Sequence, residues 1–345
     1  MGVTIMASPV KFMMGSNDVP SAADGMDPAM TFDNSLNRLG IMQGSSPIME
    51  QLYQQVEKVA ATDATVLLVG ESGTGKELIA NAIHQSSARS EETFVAVNCG
   101  AIPAHLIEAA LFGHEKGSFT GAVRQHIGYF EHASRGTLFL DEITEMPVDM
   151  QVKLLRVLES GTFLRVGGDE EVKVDVRLIA ATNRDLETAV KEGSLRTDLM
   201  YRLAVFPIRI PPLRERGADI ELLAQYFLNL LNEKEHLQKT FSRASLDVIR
   251  AYSWPGNVRE LKNVVQRAFI LATDTLNIEE CISDLSTRKP TVHEGYLNFF
   301  VGTPLADAQK EIILATLKHY SGNKRLTAET LGISLKTLYN RLKDY

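Results

Sequence analysis

Eight residues in the first quarter of the chain, Gly70-Glu71-Ser72-Gly73-Thr74-Gly75-Lys76-Glu77, combine types and spacing that suit phosphate chemistry. They follow a short apolar run, Thr65-Val66-Leu67-Leu68-Val69, and open a segment with helical periodicity. That is the context a P-loop requires. The glycines let backbone N–H groups turn inward around phosphate oxygens, and the start of the helix adds partial positive charge. Lys76 reaches the β- and γ-phosphates in such a loop. Glu77 stands where the commonest form of the loop has Ser or Thr, so no hydroxyl ligand for Mg²⁺ is supplied there. The plainer reading, a glycine-rich turn before a helix, accounts less well for strand, spacing and helix together.

A second cluster supports the first. Leu138-Phe139-Leu140-Asp141-Glu142 is an apolar strand pattern ending in two acids, 65 residues after Lys76. In a parallel sheet this places both carboxylates at the carboxyl edge, beside the P-loop. Asp141 is the candidate ligand for Mg²⁺, directly or through water, and Glu142 the candidate to polarise an attacking water. An apolar run before Asp-Glu is common when it occurs alone. Paired with the P-loop it predicts hydrolysis of ATP.

The elements that must hold these groups are legible from periodicity. Strand patterns at 65–69, 93–98, 137–140, 174–182 and 205–210 alternate with helical patterns such as 76–84 and 148–160, which predicts a parallel α/β sheet flanked by helices. Strand signals then stop, and 220–232, 245–253 and 257–272 read as helices. We therefore expect a tail at 1–42 without fixed structure, an α/β subdomain at 43–212 and a helical lid at 213–285. A linker at 286–303 and a small all-helical unit at 304–345 follow. The tail carries Pro9, Pro20 and Pro28 and no sustained periodicity.

Composition excludes several classes. With 345 residues, 44% hydrophobic and 23% charged, the chain is neither wholly disordered nor collagen-like. Two cysteines, Cys99 and Cys281, exclude a disulfide framework or a multi-cysteine zinc site and suit a reducing cytoplasm. No run approaches the ~20 apolar residues of a membrane span. No signal peptide is expected, and Met6 breaks the myristoylation pattern that Met1-Gly2 begins.

The net charge of −7 argues against a nucleic-acid coat, yet the C-terminal unit reverses the sign. Between Lys318 and Lys343 there are six Lys or Arg and one Glu. Helical patterns at 304–320, 324–331 and 334–343, with Gly332 as a turn and Ser334 as a cap, have helix-turn-helix spacing. Local positive charge on such a unit is the footprint of DNA binding; the alternative is a basic helical cap with solvated lysines.

With these residues in view, the chain resembles the AAA+ activators of sigma-54 RNA polymerase, the bacterial enhancer-binding proteins, over about 44–285 and again over 304–345. The most specific piece is Gly117-Ser118-Phe119-Thr120-Gly121-Ala122, similar to the family's GAFTGA loop with Ser118 in place of Ala. The resemblance implies that this loop touches sigma-54. From the residues alone, Phe119 is either an exposed contact at a loop tip or a ring tucked back into the core.

Further positions carry over one by one. Asn98 resembles the switch asparagine that holds Glu142 until the γ-phosphate is sensed, and Asn183 the sensor I residue; each is otherwise a polar strand end. Arg196 and Arg202 resemble arginine fingers that reach a neighbour's γ-phosphate, the alternative being a local ion pair with Asp198. Arg259, in Trp254-Pro255-Gly256-Asn257-Val258-Arg259, resembles the sensor II residue of the lid, on a helix we expect Asn257 to cap. Leu164-Arg165-Val166-Gly167-Gly168-Asp169 resembles the second pore-side loop. Ala110 stands where the family often has a glutamate, so loop control is expected to differ in detail.

The terminal unit is similar to a Fis-type helix-turn-helix, which places Ser334, Lys336, Thr337, Asn340 and Arg341 on the recognition helix and Lys324 on the helix before it. Such units dimerise, which suggests palindromic half-sites. The resemblance implies a cytoplasmic, ATP- and Mg²⁺-dependent activator that assembles from dimers to a hexamer on upstream enhancer DNA and opens sigma-54 RNA polymerase complexes. Many members carry a receiver or sensing domain where this chain has residues 1–42, so control is expected from a partner protein, expression level or assembly. The classes set against this reading are a DNA-bound nucleotide sensor without remodelling and a general AAA+ remodeller. The intact Phe119-Thr120 pair and Glu142 argue against the first, and the inserted loop with the Fis-like unit against the second.

Overall fold

The structure, a computed structural model, describes residues 44–119, 122–286, 292–293, 296–297, 304–320 and 322–343. The expectation for 1–42 and the tip residues Thr120 and Gly121 fall outside them.

In chain order the α/β part runs through α1 (Pro47–Ala60), β1 (Val66–Val69), α2 (Lys76–Gln85), β2 (Phe94–Asn98), α3 (Ile107–Phe112) and α4 (Tyr129–His132). It continues with β3 (Thr137–Asp141), α5 (Val148–Ser160), β4 (Thr162–Leu164), β5 (Glu171–Lys173), β6 (Arg177–Thr182), α6 (Leu186–Lys191), α7 (Thr197–Leu203) and β7 (Phe206–Arg209). Five strands form one sheet in the order β2-β3-β6-β1-β7, and every pairing is parallel.

Parallel strands buried on both faces read as continuous apolar runs, and β6 is buried at all six positions. Alternation along each strand divides the core. Leu67, Leu138, Leu140, Leu178 and Ala180 pack on one face with α3, α5 and α7. Val66, Leu68, Phe139, Ile179 and Ala181 pack on the other with α1 and α2. The charge at the start of β6 is spent on a helix end: buried Arg177 donates to the carbonyls of Val59 and Ala60 at the close of α1.

One expected strand is shorter than its pattern. The 174–182 run pairs in the sheet only from Arg177 onward. The residues before it are diverted, because Glu171–Lys173 forms an antiparallel hairpin with Thr162–Leu164 and Val174 N–H donates to Gly161.

Helices α8 (Asp219–Glu235), α9 (Arg243–Ala251), α10 (Asn257–Leu271) and α11 (Ile278–Ser286) enclose a second core around Leu223, Leu228, Trp254, Leu261 and Val265. In the 286–303 stretch, read from the sequence as a linker, Val292–His293 pairs antiparallel with Tyr296–Leu297. Helices α12 (Leu305–His319), α13 (Lys324–Thr330) and α14 (Leu335–Lys343) share a small core of Ile313, Ala328 and Leu338. Among the described residues no helix is long and apolar enough to cross a membrane.

Candidate functional site

The P-loop leaves the carboxyl end of β1 between β6 and β7 and delivers the chain into α2. Gly73 and Gly75 have φ of +79° and +100°, conformations that L side chains rarely adopt. Gly73 also has no room for a side chain, because a Cβ there would collide with the Gly256 carbonyl of the lid. Helix α2 begins without a side-chain cap, so its first amides are left to an anionic ligand.

Lys76 is 7% exposed. Its Nζ donates to the carbonyls of Gly70 at 3.0 Å and Glu71 at 3.2 Å. Burial pulls its pKa below the ordinary lysine value, and the nearby charges of Asp141 and Glu142 oppose that pull. Lysine and both acids therefore face one space at the carboxyl edge of the sheet.

Asp141 ends β3, and its Oδ1 accepts the N–H of Glu142 at 3.0 Å. Glu142 itself holds φ +54° and ψ +47°, a left-handed conformation that costs about 1–2 kcal/mol for a residue with a side chain. That turn aims the carboxylate over Gly100, where a Cβ would lie only 2.5 Å from Glu142 Oε2. With a side chain at 100, the Glu142 carboxylate would have to shift from this position.

Asn98 and Asn183 both close strands at this edge. Asn98 Oδ1 accepts from the N–H of Ala101 at 3.1 Å, capping the short turn after β2, and makes no hydrogen bond to Glu142. Asn183 follows β6 with its side chain exposed. Arg196 pairs with Asp198 at 2.7 Å, the local ion pair weighed from the sequence. Arg202 Nη2 donates to the Leu158 carbonyl at 2.6 Å. Both arginines sit on or next to α7, away from the P-loop contacts of this chain.

The lid reaches the P-loop through Arg259, singled out in the sequence, and through Arg214 and Arg216, which were not. Arg214 makes a two-pronged ion pair with Glu71, at 2.6 and 2.8 Å. Buried Arg216 donates to the carbonyls of Thr74 and Pro211. Arg259 Nη1 donates to Ser72 Oγ at 3.0 Å. Asn257 corrects an expectation: it is the first residue of α10 and not its cap, and Gly256 holds the cap position. Its side chain is turned away from the helix, accepting from Leu213 N–H at 2.8 Å and donating to the Ser72 carbonyl at 3.0 Å. The carboxylate of Glu260 reaches back to the N–H of Gly256, and no side chain caps the first amides of α10.

The GSFTGA segment closes on itself where it is described. Gly117 N–H donates to Ala122 O at 2.8 Å, and Ala122 N–H to Phe119 O at 3.0 Å. At its base His114 and His126 exchange backbone hydrogen bonds. Phe119 combines both readings offered by the sequence: it is 42% exposed, and its ring stands edge-on to His114 at 4.9 Å. The 164–169 hairpin braces this base. Glu115 N–H donates to Val166, and Arg165 joins Glu131 and Glu115 at 2.7 and 2.9 Å. Those two carboxylates raise the Arg165 pKa above the ordinary arginine value, with Glu131 the larger cause. Near Ala110, Glu108 pairs with Lys153.

In the terminal unit, Ser334 Oγ accepts the N–H of Thr337 at 3.0 Å, the expected cap of α14. Ser334, Lys336, Thr337, Asn340 and Arg341 are all exposed along that helix, while Leu338 is buried beneath them. Lys324 is exposed on α13, with its Nζ 4.7 Å from the centre of the Tyr339 ring.

Three family descriptions match consecutive parts of the chain: a sigma-54 interaction domain over 42–209, an AAA+ ATPase lid domain over 214–295 and the Fis family of bacterial regulatory proteins over 304–345. Among curated relatives, the nitrogen fixation protein AnfA of Azotobacter vinelandii is 46% identical over 88% of this chain, which spans 57% of AnfA. ZraR of Escherichia coli is 47% identical over 87% of this chain and 68% of its own length. The Nif-specific regulatory protein of Azotobacter vinelandii is 46% identical over 98% of this chain and 65% of its own. Among solved structures, NtrX from Brucella abortus in complex with ATP aligns with a TM-score of 0.66 at 35% identity, covering 90% of this chain and 71% of NtrX. The P-loop, the GSFTGA loop and the acid pair lie within the first of these matches and the helix-turn-helix within the third, and the chain belongs to the family of sigma-54-dependent transcriptional activators.

Proposed function

We propose that the protein is a DNA-binding activator that hydrolyses ATP and uses the energy to convert closed sigma-54 RNA polymerase complexes into open ones. The observation that carries this reading is the pairing of a P-loop lysine and two acids at one sheet edge with a braced, partly exposed aromatic loop elsewhere on the same subdomain. A nucleotide sensor needs the first alone; a remodeller needs both.

The roles follow from position. The loop 70–77 holds the phosphates, with Lys76 on the β- and γ-oxygens. Glu142 takes the proton side of an attacking water, and its forced turn over Gly100 aims it. Asn98 and Asn183 flank it as switch and sensor. Arg259 faces the nucleotide from the lid. Mg²⁺, when bound with ATP, neutralises charge on the phosphate oxygens. Asp141, which ends its strand near the P-loop lysine, is the donor that would hold it, and Glu77 supplies no hydroxyl. Arg196 and Arg202 lie outside this chain's own site and serve a neighbour's γ-phosphate, which makes the active form a ring, a hexamer built from dimers.

Residues 117–122 touch sigma-54. Ser334, Lys336, Thr337, Asn340 and Arg341, with Lys324, hold upstream enhancer DNA in the cytoplasm.

The test is co-elution of the purified chain with sigma-54, with and without ADP–aluminium fluoride. Binding that needs the analogue and is lost in Thr120→Ala, with ATPase retained, supports target, mechanism and loop together. Measurable ATPase and DNA binding without sigma-54 capture would overturn the remodelling reading in favour of a nucleotide-sensing regulator.

A further inference from the structure

The lid touches four successive residues of the P-loop, and it does so from two separate pieces of chain, 214–216 and 257–259. Glu71 receives both prongs of Arg214 and one N–H of Asn257 at 3.1 Å. The Ser72 carbonyl accepts from Asn257, and the Ser72 hydroxyl from Arg259. The Gly73 carbonyl accepts the backbone N–H of Arg259 at 3.3 Å. The Thr74 carbonyl accepts from Arg216. These bonds use carbonyls and side chains of the loop, so they leave its amides to a phosphate.

Asn257 is the joint of this arrangement. It is wholly buried and holds φ +53°, with Trp254 at +49° three residues earlier. Two left-handed residues with side chains, flanking Pro255-Gly256, are a strained way to begin a helix. The strain aims one amide so that it bonds at once to the P-loop and to Leu213, at the junction where the α/β part passes into the lid. Moving the lid against the sheet therefore pulls on the P-loop itself.

We propose that Arg214 and Asn257 are positioning residues for the ATPase: with Glu71 they form a latch through which the lid sets the shape of the phosphate loop, so that nucleotide affinity follows lid orientation. This rests on the ATPase reading above. The latch differs from a stability device in one respect. Arg214 and Glu71 are each more than 40% exposed, and an exposed ion pair adds little to folding free energy. Its effect must appear in the loop it shapes.

The experiment compares the full chain with Arg214→Ala, Arg214→Lys, Glu71→Ala, the Glu71→Ala/Arg214→Ala double variant and the exchanged pair Glu71→Arg/Arg214→Glu. Amide hydrogen exchange at residues 71–75 is measured without nucleotide, and ATP titration and steady-state hydrolysis follow. Arg214→Ala speeds exchange at 71–75 and raises KM for ATP about fivefold, with kcat changed less and the melting temperature nearly unmoved. The double variant is no worse than the worse single, Lys restores only part because it lacks the fork, and the exchanged pair recovers part of the affinity. Unchanged exchange at 71–75 in Arg214→Ala, or additive losses in the double variant, overturns the latch. A wild-type chain that neither binds nor hydrolyses ATP overturns the ATPase reading instead, and the exchange measurement still decides the latch.

Discussion

Glu142 owes its place to a backbone turn that few side-chain-bearing residues adopt and to the absence of a side chain at Gly100. Its replacement by Gln keeps the shape and removes the base. We expect Glu142→Gln to bind ATP as the wild type does and to hydrolyse it about 100-fold more slowly, checked by equilibrium nucleotide binding and a phosphate-release assay. Glu71 makes a different prediction, about pH. Hydrogen bonds from Arg214, then from Asn257, hold its pKa at about 2 against an ordinary 4.5. A carboxyl whose folded pKa is depressed stabilises the fold in full above its unfolded value, and the contribution is lost as pH falls. Because the pair is more than 40% exposed and screened by solvent, denaturant unfolding of wild type and Glu71→Gln should show only a small gap above pH 4.5, about 0–1 kcal/mol, that closes as the pH drops toward 2.

Helix α5 falls on its expected 148–160, and the strands expected at 65–69 and 137–140 run over 66–69 and 137–141. The 174–182 run enters the sheet late because it follows directly on Glu171–Lys173, which pairs antiparallel with Thr162–Leu164, and its first N–H, that of Val174, is taken by the Gly161 carbonyl. That hairpin carries the next prediction. Arg165 and Glu131 are each 15% exposed, so removing the arginine leaves a mostly buried carboxylate without its partner. Arg165→Ala should cost about 2 kcal/mol of stability by thermal or chemical melting. It should weaken analogue-dependent sigma-54 binding while ATP hydrolysis changes little, since the hairpin braces the GSFTGA base and not the P-loop. Unimpaired sigma-54 binding in that variant would remove the hairpin from the loop's support.

For the molecule as a whole, the P-loop and the two candidate finger arginines are separate in one chain. Arg196 is engaged by Asp198 and Arg202 by the Leu158 carbonyl. If they complete a neighbour's site, two inactive variants should rescue each other. Lys76→Ala lacks a working P-loop and Arg202→Ala lacks a finger, and a mixed ring brings an intact loop beside an intact finger. Mixing them at equal concentration should restore a measurable fraction of wild-type ATPase, rising with total protein, whereas each alone stays inactive. No recovery at concentrations where size-exclusion shows a mixed oligomer would count against action in trans.

The chemistry of this protein was legible along the chain because it is written in short, contiguous groups. A P-loop needs glycines and a lysine at fixed spacing, an acid pair needs the end of an apolar strand, and a helix-turn-helix needs caps and turns within about forty residues. The family followed from the GSFTGA segment beside those groups. What the chain order could not show is how the pieces hold one another. Asn257 reads locally as a cap, yet its amide is committed to Ser72 and Leu213. Arg214 reads as one more surface charge, yet it grips Glu71 at a sequence distance of 143 residues. Those assignments wait for the second core to pack and carry the lid onto the sheet edge. Only then is the competition between a helix end, a loop carbonyl and solvent for the same amide decided, and it is decided by which partner is buried with it.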